Sequence, residues 1–146
     1  MTSKFTDYIS TQGLDAFKHL CYAYSQNFKH SCILDSCQLN TGVHGGNYEF
    51  LAAYGAEEIY TSYLGFQNAI QQKGNWLFGV LGYDVKNHIE NLSSKNDTII
   101  DTTETLFFVP QIVVAIDKGG NLLELKGKVS DDIWESTIEN TQHNVA

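Results

Sequence analysis

The sequence predicts an α+β domain: a mixed, largely antiparallel β-sheet flanked by helices. Two features lead there. Stretches with helical apolar spacing alternate with short apolar runs for most of the chain, and Asp117-Lys118-Gly119-Gly120-Asn121 joins two apolar runs by a glycine-containing connection of hairpin length. The alternation alone would equally suit a parallel α/β sheet. With 146 residues, of which 42% are hydrophobic, the chain can bury one sizeable core, and its length argues for one domain.

The elements follow in order. Phe5, Tyr8 and Ile9 read as a short first strand before the Thr11-Gln12-Gly13 break. Leu14, Phe17, Cys21 and Tyr24 then keep helical spacing, predicting a helix to about Gln26. Cys32-Ile33-Leu34 is too short for a helix and reads as a buried strand ending at Ser36. Residues 38–47 carry Gly42, Gly45 and Gly46 and read as a loop, after which Tyr48 to Tyr54 resumes as a strand. Tyr63, Phe66 and Ile70 predict a second helix closing near Lys73-Gly74.

Trp76-Leu77-Phe78-Gly79-Val80-Leu81-Gly82-Tyr83 is the most apolar stretch, and its glycines permit close backbone approach, so it is expected as a central strand. Asp84 stands where the amide protons of a third helix need an acceptor, with Val85, Ile89 and Leu92 as that helix's apolar side. Residues 96–104 read as a polar loop; Leu106-Phe107-Phe108-Val109 is a strand that Pro110 should interrupt at a bulge or an edge. Ser130, Asp131 and Asp132 open a last helix carrying Ile133, Trp134, Thr137 and Ile138, and its tryptophan needs something to cover it.

Charge and composition narrow the function. Lysine and arginine total nine against seventeen carboxylates, a formal charge of -8, which argues against nucleic acid and anionic membrane as partners. All nine cations are lysine. A site gripping a dicarboxylate or a phosphate favours the bidentate guanidinium fork, so such a site is expected outside this chain. No apolar stretch approaches the roughly 20 residues of a spanning helix, and the start lacks a signal-peptide core, so the cytoplasm is expected. Cys21, Cys32 and Cys37, an odd count, are expected as free thiols.

Candidate chemistry is sparse. His30, Cys32, Cys37 and His44 are metal-ligand types, but no CxxC knuckle is present and the spacing is poor, so small buried thiols and surface histidines are the better reading. Gly74 to Gly79 begins like a phosphate loop, yet Val80 and Leu81 stand where lysine and a hydroxyl residue belong. Glu57-Glu58 and Asp131-Asp132 are adjacent pairs whose side chains diverge, which suits solvated faces. No catalytic residue and no metal ligand is assigned.

Two stretches resemble a known family. Cys32-Ile33-Leu34-Asp35-Ser36 is similar to the apolar-apolar-acid-serine motif of chorismate-using synthase components, and Trp76 to Asp84 resembles the same family's strand ending in Gly-Tyr-Asp, followed by a helix. Their order and the elements between them also agree, and the likeness extends over nearly the whole chain. The form Leu34-Asp35-Ser36, with Asn91-Leu92-Ser93-Ser94 further on, looks more like component I of aminodeoxychorismate (para-aminobenzoate) synthase than like anthranilate synthase, whose components tend to show Leu-Leu-Glu-Ser.

The resemblance implies an α+β fold in which residues 1–128 form the N-terminal, non-catalytic domain and residues 129–146 a helical linker. A C-terminal chorismate-binding domain would carry the catalytic groups and magnesium, and a glutamine amidotransferase subunit would supply ammonia. It implies no cofactor in this chain. It further implies a pocket for tryptophan, a feedback inhibitor in anthranilate synthases and a structural ligand in some aminodeoxychorismate synthases. Asp35 and Ser36 would supply its motif, and Tyr48 and Phe50 would wall an indole, with Asp35 or backbone carbonyls accepting from the ammonium. Asn47 stands where the family often has an arginine. Gly82, Tyr83 and Asp84 would be structural. The rival for Asp35 and Ser36 is a plain strand end and turn cap. A free-standing module for a small aromatic molecule is the alternative from another class.

Overall fold

A computed structural model describes residues 3–37, 46–72, 76–81 and 105–143. They form α1 (Lys4–Gln12), α2 (Leu14–Ser25), β1 (Ser31–Asp35), β2 (Tyr48–Tyr60), α3 (Tyr63–Ile70), β3 (Phe78–Leu81), β4 (Thr105–Asp117), β5 (Leu122–Lys126) and α4 (Asp131–His143). The sheet order is β1-β2-β4-β3 with β5 also on β4, and the β1–β2, β3–β4 and β4–β5 ladders are antiparallel. The α+β architecture, a largely antiparallel sheet with flanking helices, is therefore the observed one. Gly82, Tyr83 and Asp84, the helix expected over 85–92, the loop at 96–104 and most of the loop at 38–47 lie outside the described residues.

The chain divides into two compact units, Met1–Gly55 with Gln111–Ala146, and Ala56–Pro110. In the first unit α1, α2 and α4 bury their apolar sides with one face of the sheet: Phe5, Phe17, Cys21 and Tyr24 meet Phe50, Ala52, Tyr54, Ile112, Val114 and Ile116. The segment expected as a first strand is helical. Ser3 caps it, its hydroxyl accepting from the Thr6 amide at 3.1 Å, and Phe5, Tyr8 and Ile9 stand at i, i+3 and i+4 on its buried side. Trp134 of α4 is covered by this helix, edge-on to Phe5 at 5.2 Å and to Tyr8 at 6.1 Å between ring centroids. The buried Thr137 hydroxyl accepts from the Asn27 amide at 3.0 Å. The helix from residue 131 thus packs into the core of this unit.

β2 continues past Tyr54 to Tyr60, carrying Glu57 and Glu58 in its exposed end. β4 likewise runs unbroken through Pro110, which is buried. Residues 105–108 of β4 pair with β3 and residues 113–116 with β5, so position 110 falls between those two registers. The hairpin at Asp117 is as expected. Asp117 Oδ1 accepts from the amides of Gly119 and Asn121, each at 2.9 Å, and Gly120 takes φ +84°.

In the second unit β3 ends the described strand order, contrary to its expected central place, and Gly79, Val80 and Leu81 are exposed. The expected close approach is present: a Cβ at Gly79 would fall 2.0 Å from the Leu106 carbonyl oxygen. Phe66 of α3 stacks on Phe107 at 4.2 Å between centroids, and Trp76 on Phe78 at 5.8 Å.

Candidate functional site

The apolar-apolar-acid-serine motif is the C-terminal end of β1, and antiparallel pairing lays it against the start of β2. Asp35 is opposite Phe50, Leu34 opposite Leu51 and Ile33 opposite Ala52, and the Ser36 amide extends the ladder by donating to the Glu49 carbonyl at 3.0 Å. Because successive side chains alternate between faces, this register sorts the residues into two sets. Asp35 shares the helix-covered face with Phe50, while Ser36 and Glu49 share the other face with Leu34 and Leu51.

On the covered face, Lys18 of α2 donates to Asp35 Oδ1 at 3.1 Å and stands 5.8 Å from the centroid of the Phe50 ring. The Cys37 amide donates to the same carboxylate oxygen at 2.9 Å, and Cys37 takes φ +53° as the strand turns away. Burial works to raise the Asp35 pKa, but the Cys37 amide and the hydrogen bond and charge of Lys18 outweigh it and hold the carboxyl below its ordinary value. Phe50 is 1% exposed, edge-on to Phe17 at 6.3 Å. It is a core residue here and does not line the neighbouring recess, unlike its expected place in an indole wall.

On the other face the Ser36 hydroxyl hydrogen-bonds Glu49 Oε1, and Lys118, from the hairpin after β4, donates to Glu49 Oε2 at 3.2 Å. One carboxylate thus joins the motif to a hairpin far along the chain. Beside it is an open recess of about 450 Å³ lined by Ile33, Leu34, Asp35, Ser36, Tyr48, Glu49 and Leu51. The volume is within the range of small-molecule sites. Three of the four residues expected to hold a ligand, Asp35, Ser36 and Tyr48, line this one concavity. Leu34 contributes an apolar surface that is 53% exposed.

A second cavity in the same unit, about 400 Å³ between the first turn of α1 and the β4–β5 ladder, contains none of the motif. Among the described residues no three His, Cys, Asp or Glu side chains come together in a metal-binding group, and no helix is long and apolar enough to cross a membrane. His44 and the Gly-Tyr-Asp motif lie outside the described residues.

The polar groups of the recess can accept from an ammonium, donate to a carboxylate and support an apolar side chain on leucine. Glu49, Lys118 and Lys18 were not singled out from the sequence, although the parity of antiparallel pairing places Glu49 beside Ser36 once the two strands are aligned. No protein-family model matches the chain, and neither the curated proteins nor the solved structures hold a match to it.

Proposed function

We propose that the chain is the N-terminal, non-catalytic domain of a chorismate-aminating synthase of the aminodeoxychorismate type, and that the recess at the end of β1 receives a small aromatic ligand, tryptophan first. The observation that carries this reading is the gathering of Asp35, Ser36 and Tyr48, picked out by a resemblance in sequence, around one recess with an apolar floor at Leu34 and Leu51. In the complete enzyme an amino group from ammonia replaces the chorismate hydroxyl. A companion domain holds the magnesium and the catalytic acids, a glutaminase subunit delivers the ammonia, and the assembly works in the cytoplasm. This chain contributes scaffold and ligand recess. The form Leu34-Asp35-Ser36 favours the folate branch over the anthranilate branch.

Titration calorimetry with L-tryptophan tests the recess: saturable heat is expected, and its absence for tryptophan, phenylalanine and indole alike overturns the ligand site. Incubation of the chain with chorismate, ammonia and magnesium should give no aminated product, and turnover would refute the assignment of the chemistry to a companion. One observation favours a second reading, a free-standing aromatic-ligand module: Trp134 is covered from within its own unit. Sedimentation of the purified chain separates the two, since a module on its own should be monomeric while a domain made for a companion should self-associate.

A further inference from the structure

We infer that the cavity between the first turn of α1 and the β4–β5 ladder is a binding site of its own, apart from the recess at the end of β1, and that it takes a singly charged carboxylate with an apolar tail, of the medium-chain fatty acid kind.

The cavity is apolar because of where it lies. Phe5 of α1 and Ile112 and Val114 of β4 belong to the core of this unit, and together with Val129 they line about 400 Å³ of space between helix and sheet. Side chains around such a space forgo contacts that a close-packed interior makes, and an apolar tail restores them. The volume is within the range of small-molecule sites.

The charge at this cavity is positive in a chain that is not. Of nine lysines in a protein with a formal charge of -8, Lys4 and Lys128 both line it, against one acid, Glu124. Beyond β5 the chain turns at Gly127, φ +74°, where a Cβ would stand 2.2 Å from the Gln111 carbonyl oxygen, and the next two residues are the Lys128 and Val129 that line the cavity. Lys4 is paired with Asp131, whereas Lys128 has no ion-pair partner among the described residues. Lys128 is therefore the cation left for a ligand. A lone ammonium is a point charge, which suits one carboxylate and lacks the bidentate geometry that a phosphate or a dicarboxylate favours.

Glu124 limits the charge that can enter. Its register partner is Val114, so it stands on the helix-covered face, two residues from Leu122, which packs against the core. An acid in that apolar row opposes a second negative charge, so a ligand with one carboxylate on Lys128 and its tail along Phe5, Ile112 and Val114 is the one that fits.

Calorimetry on the full chain with octanoate, octanol and octylamine tests this. Octanoate should bind about tenfold more tightly than octanol, as expected for a charge-assisted pair, and octylamine no better than octanol. Octanoate should also exceed hexanoate by about tenfold, because its two further methylenes are buried. Lys128→Met should weaken octanoate by about tenfold, whereas Glu124→Gln should tighten it by about threefold. Val129→Trp should fill the space and abolish binding, and the two substitutions at exposed positions keep the test decisive where Val129→Trp lowers stability. L-Tryptophan should not displace octanoate. No binding of octanoate, equal or tighter binding of octylamine, indifference to tail length, a like-signed effect of Lys128→Met and Glu124→Gln, or displacement by tryptophan each overturns the inference; all but the last leave the recess at β1 untouched.

Discussion

Two buried tyrosines side by side make opposite predictions. Tyr24 and Tyr54 are both fully buried, their rings edge-on at 4.8 Å between centroids. The Tyr54 hydroxyl donates to the Cys21 carbonyl at 2.9 Å, whereas the Tyr24 hydroxyl has no hydrogen-bond partner among the described residues. Burial pushes the Tyr24 hydroxyl up to about 12 and moves Tyr54 in the same direction, so both are neutral donors at any working pH. Tyr54→Phe keeps the ring and its contacts and deletes one satisfied bond, which should cost about 1–1.5 kcal/mol. Tyr24→Phe deletes a hydroxyl desolvated with nothing in return, a burden of about 1–3 kcal/mol partly offset by the small void it leaves. Stability should therefore be unchanged or rise by up to about 1 kcal/mol. With a urea slope of about 1–3 kcal/mol/M, the two midpoints should separate by roughly 0.3–2.5 M, Tyr54→Phe falling below the parent and Tyr24→Phe standing at or above it. Equal losses in the two variants would show that the Tyr24 hydroxyl has a partner and would refute the reasoning.

Three further predictions bear on other parts of the fold. Gly127 takes φ +74°, and a Cβ there would stand 2.2 Å from the Gln111 carbonyl oxygen, so Gly127→Ala should cost about 2–4 kcal/mol in urea denaturation; a loss below about 1 kcal/mol contradicts this. The Asp35 carboxyl, held low by the Cys37 amide and Lys18 against the opposing effect of burial, has a folded pKa below its unfolded one. Its contribution is present above the unfolded pKa and is lost as pH falls through the folded value, so Asp35→Asn should flatten the acid limb of a stability-against-pH curve, and an unchanged limb tells against it. Cys21 is buried and its thiol pushed up to about 12, whereas Cys37 is exposed, so a thiol reagent at pH 8 should modify Cys37 at once and Cys21 only after denaturation. Mass mapping that finds Cys21 labelled in the native chain contradicts the burial.

The α2 helix, the strand at residue 32 and the Asp117 hairpin were legible in the sequence because each depends on local spacing or a turn whose chemistry is local. The first helix is ambiguous from sequence: Phe5, Tyr8 and Ile9 stand at helical intervals behind a serine cap, but a segment rich in aromatic and β-branched residues also satisfies strand propensity. Pro110 misled because its missing amide proton matters only if a neighbour needs it, and which strand adjoins which residue is a tertiary fact. Of the proposed site, Asp35 and Ser36 come from the motif and Tyr48 from its position on the next strand. Lys18 and Lys118 were not legible, since each is brought to its acid by packing across 17 and 69 residues and leaves no local pattern. Phe50 looked like a pocket wall because an aromatic on a strand suits either face, and only the pairing register decides which.

The unit Ala56–Pro110 is spliced into the middle of the other one, which takes its strands and helices from both sides of it. During synthesis α1, α2, β1 and the first part of β2 therefore leave the ribosome long before Ile112, Val114, Ile116 and Trp134, the residues that close their core. The nascent segment must keep Phe5, Phe17 and Tyr24 from aggregating through that interval. A chaperone bound over that interval, or faster synthesis of the intervening stretch, should therefore raise the yield of folded chain.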